Sequence, residues 1–385
     1  MMSDRDRILT GNEACVLGAL EAGMDFFAGY PITPAMEIAE VSSVLLPRYG
    51  GKYIQMEDEL GSIAAVIGAS AAGAKSMTAT SGPGFSLMQE NIGYAMLAEI
   101  PCVIVDVMRQ GPCQGVATVP SQGDLMQVRW GTHGDHPVIA VAPCFVKEVY
   151  YETIRAFSMA ERFRMPVFIV SDAMLAHMSE KVRLPEKEKQ KPVTRKLPLV
   201  PPEQYLPYAD DGTGVPPMAV FGDGYRWYAT GLIHNERGIP VSDQPQVIEE
   251  ELSRIHRKVM EHLDEIESWE EYKTEDADLI IVSVGVVSRS VKCAVDRARN
   301  EGIKAGAFRP ITLWPFPEKR LLELAKGHGR IIMSCEMNQG QLAEQVKRVA
   351  GTNTRVYSVT QNNGKIPSVN TILAAIREVA GDGGI

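Results

Sequence analysis

The loop Gly29-Tyr30-Pro31-Ile32-Thr33-Pro34 lies between a short apolar run and an amphipathic one. Pro34 suits the first position of a helix and Thr33 the N-cap before it, so a capped helix start accounts for both. Exposed amides and a hydroxyl at such a place also suit a carboxylate or phosphate, and open parallel sheets take ligands at strand C-termini. Glu57-Asp58-Glu59 opens an Ala/Gly-rich run, where acids in a first helical turn complement the helix dipole. Glu59 also shares a helical face with Ile63, Val66 and Ile67, so an inward-pointing carboxyl is the second reading beside the dipole one, and the residues alone leave both open. A buried carboxyl holds its proton more tightly and suits proton exchange with a bound heterocycle. Arg109, just beyond an apolar run, has the fork to hold a substrate carboxylate, or an ordinary ion pair with Asp106 or Asp124.

Two other stretches carry less. Trp130-Gly131-Thr132-His133-Gly134-Asp135-His136 holds two histidines and an aspartate, but at no usual metal-ligand spacing. Ser81-Gly82-Pro83-Gly84 lacks both the lysine of a P-loop and the dinucleotide fingerprint, and reads as a tight turn.

The elements that must position these residues alternate. The pattern predicts helices over 12–22, 34–46, 58–74, 85–98 and 146–162, with strands at 24–28, 76–80, 101–107, 138–141 and 166–171. Strands separated by helices imply a mainly parallel sheet covered on both faces, hence an α/β domain over 1–180. Residues 181–217 hold eight of the 24 prolines and open on a charged run, which predicts an extended, solvated linker. An apolar stripe from Ile248 to Trp269 at spacings of three and four predicts a long helix lying on the core, which completes a connecting segment over 181–275. A second, smaller α/β domain covers 276–385, with strands at 279–287, 305–309 and 330–335 and helices at 290–300, 318–326 and 341–350.

With 385 residues, two domains are expected. Hydrophobic residues make up 45% and charged ones 23%, which excludes wholesale disorder. A net charge of −9 argues against nucleic acid, since no net attraction meets the phosphate field. The six cysteines are scattered without a CxxC pair, which argues against a zinc ribbon or an iron–sulfur cluster held by this chain alone. No apolar run is long enough to span a bilayer and the N-terminus is polar, so a cytoplasmic protein is expected. Gly222-Asp223-Gly224 looks like the start of a thiamine diphosphate motif, yet Asn362-Asn363 lies far too distant to complete it.

Taken together, Tyr30 to Pro34, Glu57-Asp-Glu-Leu-Gly61, Thr80-Ser-Gly-Pro-Gly-Phe85 and Arg309-Pro-Ile-Thr-Leu-Trp-Pro-Phe316 resemble the α subunit of 2-oxoacid:ferredoxin oxidoreductases. The likeness runs from about residue 7 onward. Gln122-Gly-Asp-Leu125 and Arg129-Trp-Gly-Thr-His-Gly-Asp135 make it most similar to members that act on 2-oxoglutarate.

The resemblance implies a thiamine-diphosphate-binding pyrimidine domain followed by a transketolase C-terminal-like domain. It implies oxidative decarboxylation of 2-oxoglutarate with coenzyme A to succinyl-CoA and CO2, reducing ferredoxin, and the reverse carboxylation. A β subunit would bring Mg2+, the diphosphate site and a [4Fe-4S] cluster, with γ or δ components as separate chains. Glu59 matches the glutamate that hydrogen-bonds the aminopyrimidine, with Glu57 as the alternative. Tyr30, Pro31 and Ile32 match the cofactor-binding loop, Thr33 its threonine near the substrate carboxylate, and Arg109 the arginine that pairs with that carboxylate. Pyruvate or a branched-chain 2-oxoacid would need only pocket changes. A lipoamide-linked thiamine diphosphate dehydrogenase subunit and a non-catalytic scaffold are the other classes.

Overall fold

The computed structural model describes residues 6–185, 192–241, 243–326, 331–352 and 354–383. The chain opens with β1 (Asp6–Thr10) and α1 (Gly11–Glu21), whose capping box joins Thr10 and Glu13. Then come β2 (Phe26–Gly29), α2 (Met36–Leu45), β3 (Lys52–Gln55), α3 (Glu59–Ala71), β4 (Ser76–Thr80) and α4 (Gly82–Leu97). The unit continues through β5 (Cys102–Gln110), β6 (Val116–Pro120), α5 (Leu125–Trp130), β7 (Ile139–Val141) and α6 (Val146–Phe163). It ends with β8 (Pro166–Asp172), α7 (Ala173–His177) and β9 (Ser179–Arg183), the last pairing back onto β1.

β4, β5 and β8 are buried along nearly their whole length, as strands covered on both faces must be. Each of the five expected strands in this half has a counterpart, with boundaries shifted by a few residues. Arg109 lies inside β5 rather than beyond it, because β6 folds back and pairs with the strand's last residues. The Ser81–Gly84 stretch is no free turn: Ser81 is the N-cap and the helix starts at Gly82.

The connecting segment is irregular, yet it is bound to the core rather than solvated. Arg195 is buried and pairs with Glu161 at 2.7 Å, while its Nη1 donates to the Ser70 carbonyl at 2.6 Å. Arg164, fully buried, donates through Nη1 to the carbonyls of Pro207, Pro216 and Pro217. Prolines prevent a strand ladder, so the Arg164 guanidinium satisfies segment carbonyls that a ladder would otherwise have met, while Arg195 ties the segment to the end of α3. The apolar stripe forms α8 (Pro245–Met260), with Ile255 and Val259 buried against the core. It does not continue as one helix. α9 (Leu263–Ile266) and β10 (Trp269–Tyr272) take its last residues.

The second unit comprises β11 (Leu279–Ser283), α10 (Val287–Asn300), β12 (Ala305–Pro310), β13 (Thr312–Trp314), α11 (Glu318–Ala325), β14 (Ile331–Glu336), α12 (Gln341–Ala350), β15 (Arg355–Thr360) and α13 (Val369–Gly383). Of the expected strand 330–335, Arg330 lies outside the described residues. Its five-stranded sheet runs β10-β12-β11-β14-β15, parallel except at β10. β13 leaves this unit to pair antiparallel with β7, giving the first sheet the order β13-β7-β8-β5-β4-β2-β3 with β6 beside β5. Arg309 locks that crossing, its Nη2 at 2.8 Å from both Glu148 on α6 and Glu270 on β10.

Among the described residues, no helix is long and apolar enough to cross a membrane. Cys15, Cys102, Cys144 and Cys335 are buried, which pushes each thiol up to about 12.

Glu99 is wholly buried, and meets Arg254 and Lys258 of α8 at 2.6 Å each. Burial alone would raise its pKa, but Lys258, Arg254 and Arg164 together hold it well below the usual carboxylate range. A depressed folded-state pKa means that this stability is present above the unfolded value of about 4.3 and is lost as pH falls further. Glu99→Gln should therefore lower stability at pH 7 by about 3–5 kcal/mol in urea titration, and the deficit should shrink in strong acid.

Candidate functional site

The carboxyl ends of β2, β3, β4 and β5 gather the residues the sequence singled out. After β2, the loop 30–34 closes on itself through Ala35 N–H to the Ile32 carbonyl at 2.9 Å. The Thr33–Pro34 peptide is cis, and α2 begins at Met36 with Ala35 in the capping position and no side-chain cap. The expected Thr33 cap does not form. Instead the carbonyls of Thr33 and Pro34 point to partners outside the helix: Arg109 Nη1 donates to the first at 2.7 Å and Asn12 Nδ2 to the second at 2.9 Å. Asn12, only 2% exposed, also donates to Glu37 and so holds the loop from beneath. Tyr30 is exposed, and Pro31, Ile32 and Thr33 are half-buried.

Glu59 opens α3 directly after its cap, Asp58, whose carboxylate accepts from the Gly61 amide. It is 5% exposed, alongside buried Ile63, Val66 and Ile67, whereas Glu57 is exposed. Burial raises the Glu59 pKa, its own backbone amide opposes this, Asp58 adds to it and Arg109 tempers it. The carboxylate lies against the first turn of α4. A Cβ built on Gly84 would fall 2.3 Å from Glu59 Oε1 and 2.2 Å from Thr80 Oγ1. Only glycine leaves room for that carboxylate.

Arg109 is 5% exposed on β5. Its Nη2 donates to Gln114 Oε1 at 3.1 Å, and its buried Nε has no partner among the described residues. It lines a cavity of about 560 Å³ between the two units, with Asp124, Gly82 and Ser86 on one side and Asn338 and Gln341 on the other. No ion pair joins Arg109 to Asp106 or Asp124, although Asp124 lies within its field. Thr33, Glu59 and Arg109 are thus brought together. Sequence reasoning missed Asn12, and it passed over Gly84, whose signal is a glycine in a turn next to a buried acid.

The histidine loop does not converge. His136 Nδ1 lies 2.9 Å from the Gly134 carbonyl, while exposed His133 lies near Glu90. Among the described residues no three His, Cys, Asp or Glu groups gather as a metal site.

A mainly parallel sheet carrying a buried glutamate and an arginine at its carboxyl edge, followed by a second, mainly parallel sheet, defines a two-sheet α/β protein with a charged cleft at the seam. The family model "Pyruvate flavodoxin/ferredoxin oxidoreductase, thiamine diP-bdg" matches residues 17–254, and "Pyruvate:ferredoxin oxidoreductase core domain II" matches 277–372. The chain belongs to the 2-oxoacid:ferredoxin oxidoreductase family. It is 46% identical over 368 residues to "2-oxoglutarate synthase subunit KorA" of Methanothermobacter thermautotrophicus, covering 96% of this chain and 97% of that one. It is 38% identical to "Ketoisovalerate oxidoreductase subunit VorB" of Methanothermobacter marburgensis, covering 98% of both. A solved 2-oxoglutarate:ferredoxin oxidoreductase from Magnetococcus marinus, with 2-oxoglutarate, coenzyme A and succinyl-CoA bound, superposes with a TM-score of 0.90 at 35% identity. That match covers 97% of this chain and 65% of that one. A split-gene transketolase superposes at 0.57 and 14% identity over 96% of this chain and 97% of that one, a likeness of fold alone.

The Gly84 contact generates one expectation. Gly84→Ala should push the Glu59 carboxylate aside and lower turnover of the assembled enzyme on the order of 10²-fold, the size of a misplaced catalytic group. Steady-state kinetics with a melting curve for the same variant would check it.

Proposed function

We propose that this chain is the α subunit of a 2-oxoglutarate:ferredoxin oxidoreductase. It would work with a β subunit, decarboxylating 2-oxoglutarate to CO2 and succinyl-CoA with coenzyme A and reducing ferredoxin. The observation that carries the reading is the buried Glu59 carboxylate beside the paired Arg109 and Thr33. Relatives named for 2-oxoglutarate, at 46% and 48% identity, support the substrate. The relative named for ketoisovalerate keeps a branched-chain 2-oxoacid as the second reading.

The residues fit the pyrimidine end of thiamine diphosphate. Glu59 has a raised pKa and room beside Gly84, and it would hold a hydrogen bond to the ring and hold or pass its proton. Tyr30, Pro31 and Ile32 would form the wall of the cofactor site. Thiamine diphosphate, when bound, supplies the carbon nucleophile and the electron sink for decarboxylation. Arg109, with its unpartnered buried Nε, would bind the 2-oxoacid carboxylate, and Thr33 would orient it.

Mg2+, the diphosphate site and a [4Fe-4S] cluster would belong to the β subunit. Tyr30, Ile54, Leu60 and Leu87, all exposed near the carboxyl ends of β2, β3 and β4, offer that subunit an apolar surface. Divisions at residues 180 and 275 would separate a pyrimidine domain, a connecting segment and a transketolase-like domain. A cytoplasmic location agrees with ferredoxin as partner.

Glu59→Gln should leave assembly intact and slow decarboxylation by about 10²-fold or more, and full activity would sink its role. Arg109→Ala should chiefly raise the KM for 2-oxoacid. The complex purified anaerobically should show iron–sulfur absorbance that bleaches on adding 2-oxoglutarate with coenzyme A. Bleaching by another 2-oxoacid alone would replace the substrate, and a colourless stable complex would overturn the family reaction.

A further inference from the structure

Asp106 and Asp124 stand next to the site and have no part in the mechanism above. Asp106 lies on β5, fully buried, in register with Thr80 on β4. Neither of its carboxyl oxygens meets a hydrogen-bond donor among the described residues, and neither does the buried Oδ2 of Asp124. Asp124 precedes α5 and lines the same cavity as Arg109, with Oδ2 at 3.6 Å from the Cβ position of Gly82. The two carboxyl groups interact directly with each other, no donor meets these buried oxygens, and Arg109 acts on Asp124 without an ion pair, so ionising both is disfavoured and one proton is shared between them.

We propose that Asp106 and Asp124 form a proton-sharing carboxyl pair that sets the charge of the Arg109 cavity and thereby its affinity for the substrate carboxylate. The inference rests on Arg109 binding that carboxylate. Burial first, and each other's proximity second, raise the pKa of Asp106. Burial raises Asp124 to about 6, against the pull of its bond to Asp106 and of Arg109. Such values belong to the pair as a unit.

The surroundings leave the pair to act on Arg109. β4 and α4 contribute uncharged Thr80, Gly82 and Ser86, β8 contributes Val170 opposite Asp106, and the second unit contributes the amides of Asn338 and Gln341. Asp172, at the end of β8, is turned to cap α7 through the amides of Met174 and Leu175. Glu59 lies against Gly84 in the first turn of α4 and is no part of the pair's contacts. Arg109 is the cation whose field Asp124 feels.

The sign follows. While the pair keeps its proton, Arg109 faces a singly charged partner and has attraction to spare for an incoming anion. Once Asp124 ionises, the second negative charge repels that anion and partly neutralises the guanidinium. The KM for 2-oxoglutarate should therefore rise about five- to tenfold between pH 6 and 8, the size of one partly screened charge interaction. Substrate binding should in turn draw a proton onto the pair.

The test is the holoenzyme with Asp124→Asn, which keeps the shape and removes the titration, and Asp124→Glu, which keeps the acid. Expected are a flat KM profile and a lower KM at pH 8 for the amide variant, with the rise retained in the glutamate variant, the change falling more on KM than on kcat. Calorimetry with glutarate, a dicarboxylate that cannot react, in buffers of different ionisation enthalpy should show proton uptake at pH 7 that Asp124→Asn abolishes. An amide variant whose KM and proton uptake follow the wild type overturns the pair's role. If Asp124→Asn flattens the profile while Arg109→Ala leaves KM unchanged, the pair stands and the placing of the carboxylate on Arg109 falls.

Discussion

The antiparallel pairing of β13 with β7 is the contact on which the rest of the arrangement depends. It places one strand of the second unit in the first unit's sheet, and Arg309 fixes the crossing by two carboxylates from different elements. The loop between β6 and α5 is then held from the far side. Gln122 Nε2 donates to the Val284 carbonyl at 2.7 Å, its Oε1 accepts from the Met337 amide, and Trp314 Nε1 donates to the Leu125 carbonyl. Asp124 has its place on the cavity wall because its neighbours on both sides are bound to the second unit. The cavity is therefore a product of the seam between two sheets, and neither sheet alone would enclose it.

Within the first sheet, steric economy does what the seam does between sheets. The small residues of α3 and α4 let those helices lie close, and the missing side chain at Gly84 gives the Glu59 carboxylate a dry niche beside Thr80. Dryness raises its pKa, and Arg109 keeps the rise within bounds. Position and proton affinity thus come from one packing decision.

Much of this was legible in the sequence because it is written locally. β4, β5, β8, β11 and β14 are apolar runs bounded by turn residues, and the helical face Glu59 shares with Ile63, Val66 and Ile67 made its burial one of two readings. What escaped is set by distant partners. β6 and β13 are short and exist only because β5 and β7 offer them an edge. The Thr33 cap does not form because α2 starts only at Met36, and the groups that hold the loop before it, Arg109 and Asn12, are distant in sequence. Residues 181–217 read as solvated for the same reason: local composition reports the lost ladder but not the arginines that replace it. Asp124 was visible as a counter-ion for Arg109 and as part of a family-like stretch, but nothing local shows that it interacts with a second buried acid.

Those arginines divide the connecting segment into two kinds of position. Arg164 and Arg195 bind backbone carbonyls, which every residue type carries. Pro207, Pro216 and Pro217 receive Arg164 through their backbone alone, so other residues could stand at those three positions so long as the backbone keeps its course. The donors have no such latitude, because lysine lacks the planar fork that reaches several carbonyls at once. Mutational tolerance here should run opposite to what the composition suggests. The prolines that receive Arg164 are the replaceable positions, while Arg164 at the end of α6 and Arg195 within the segment itself fix its path.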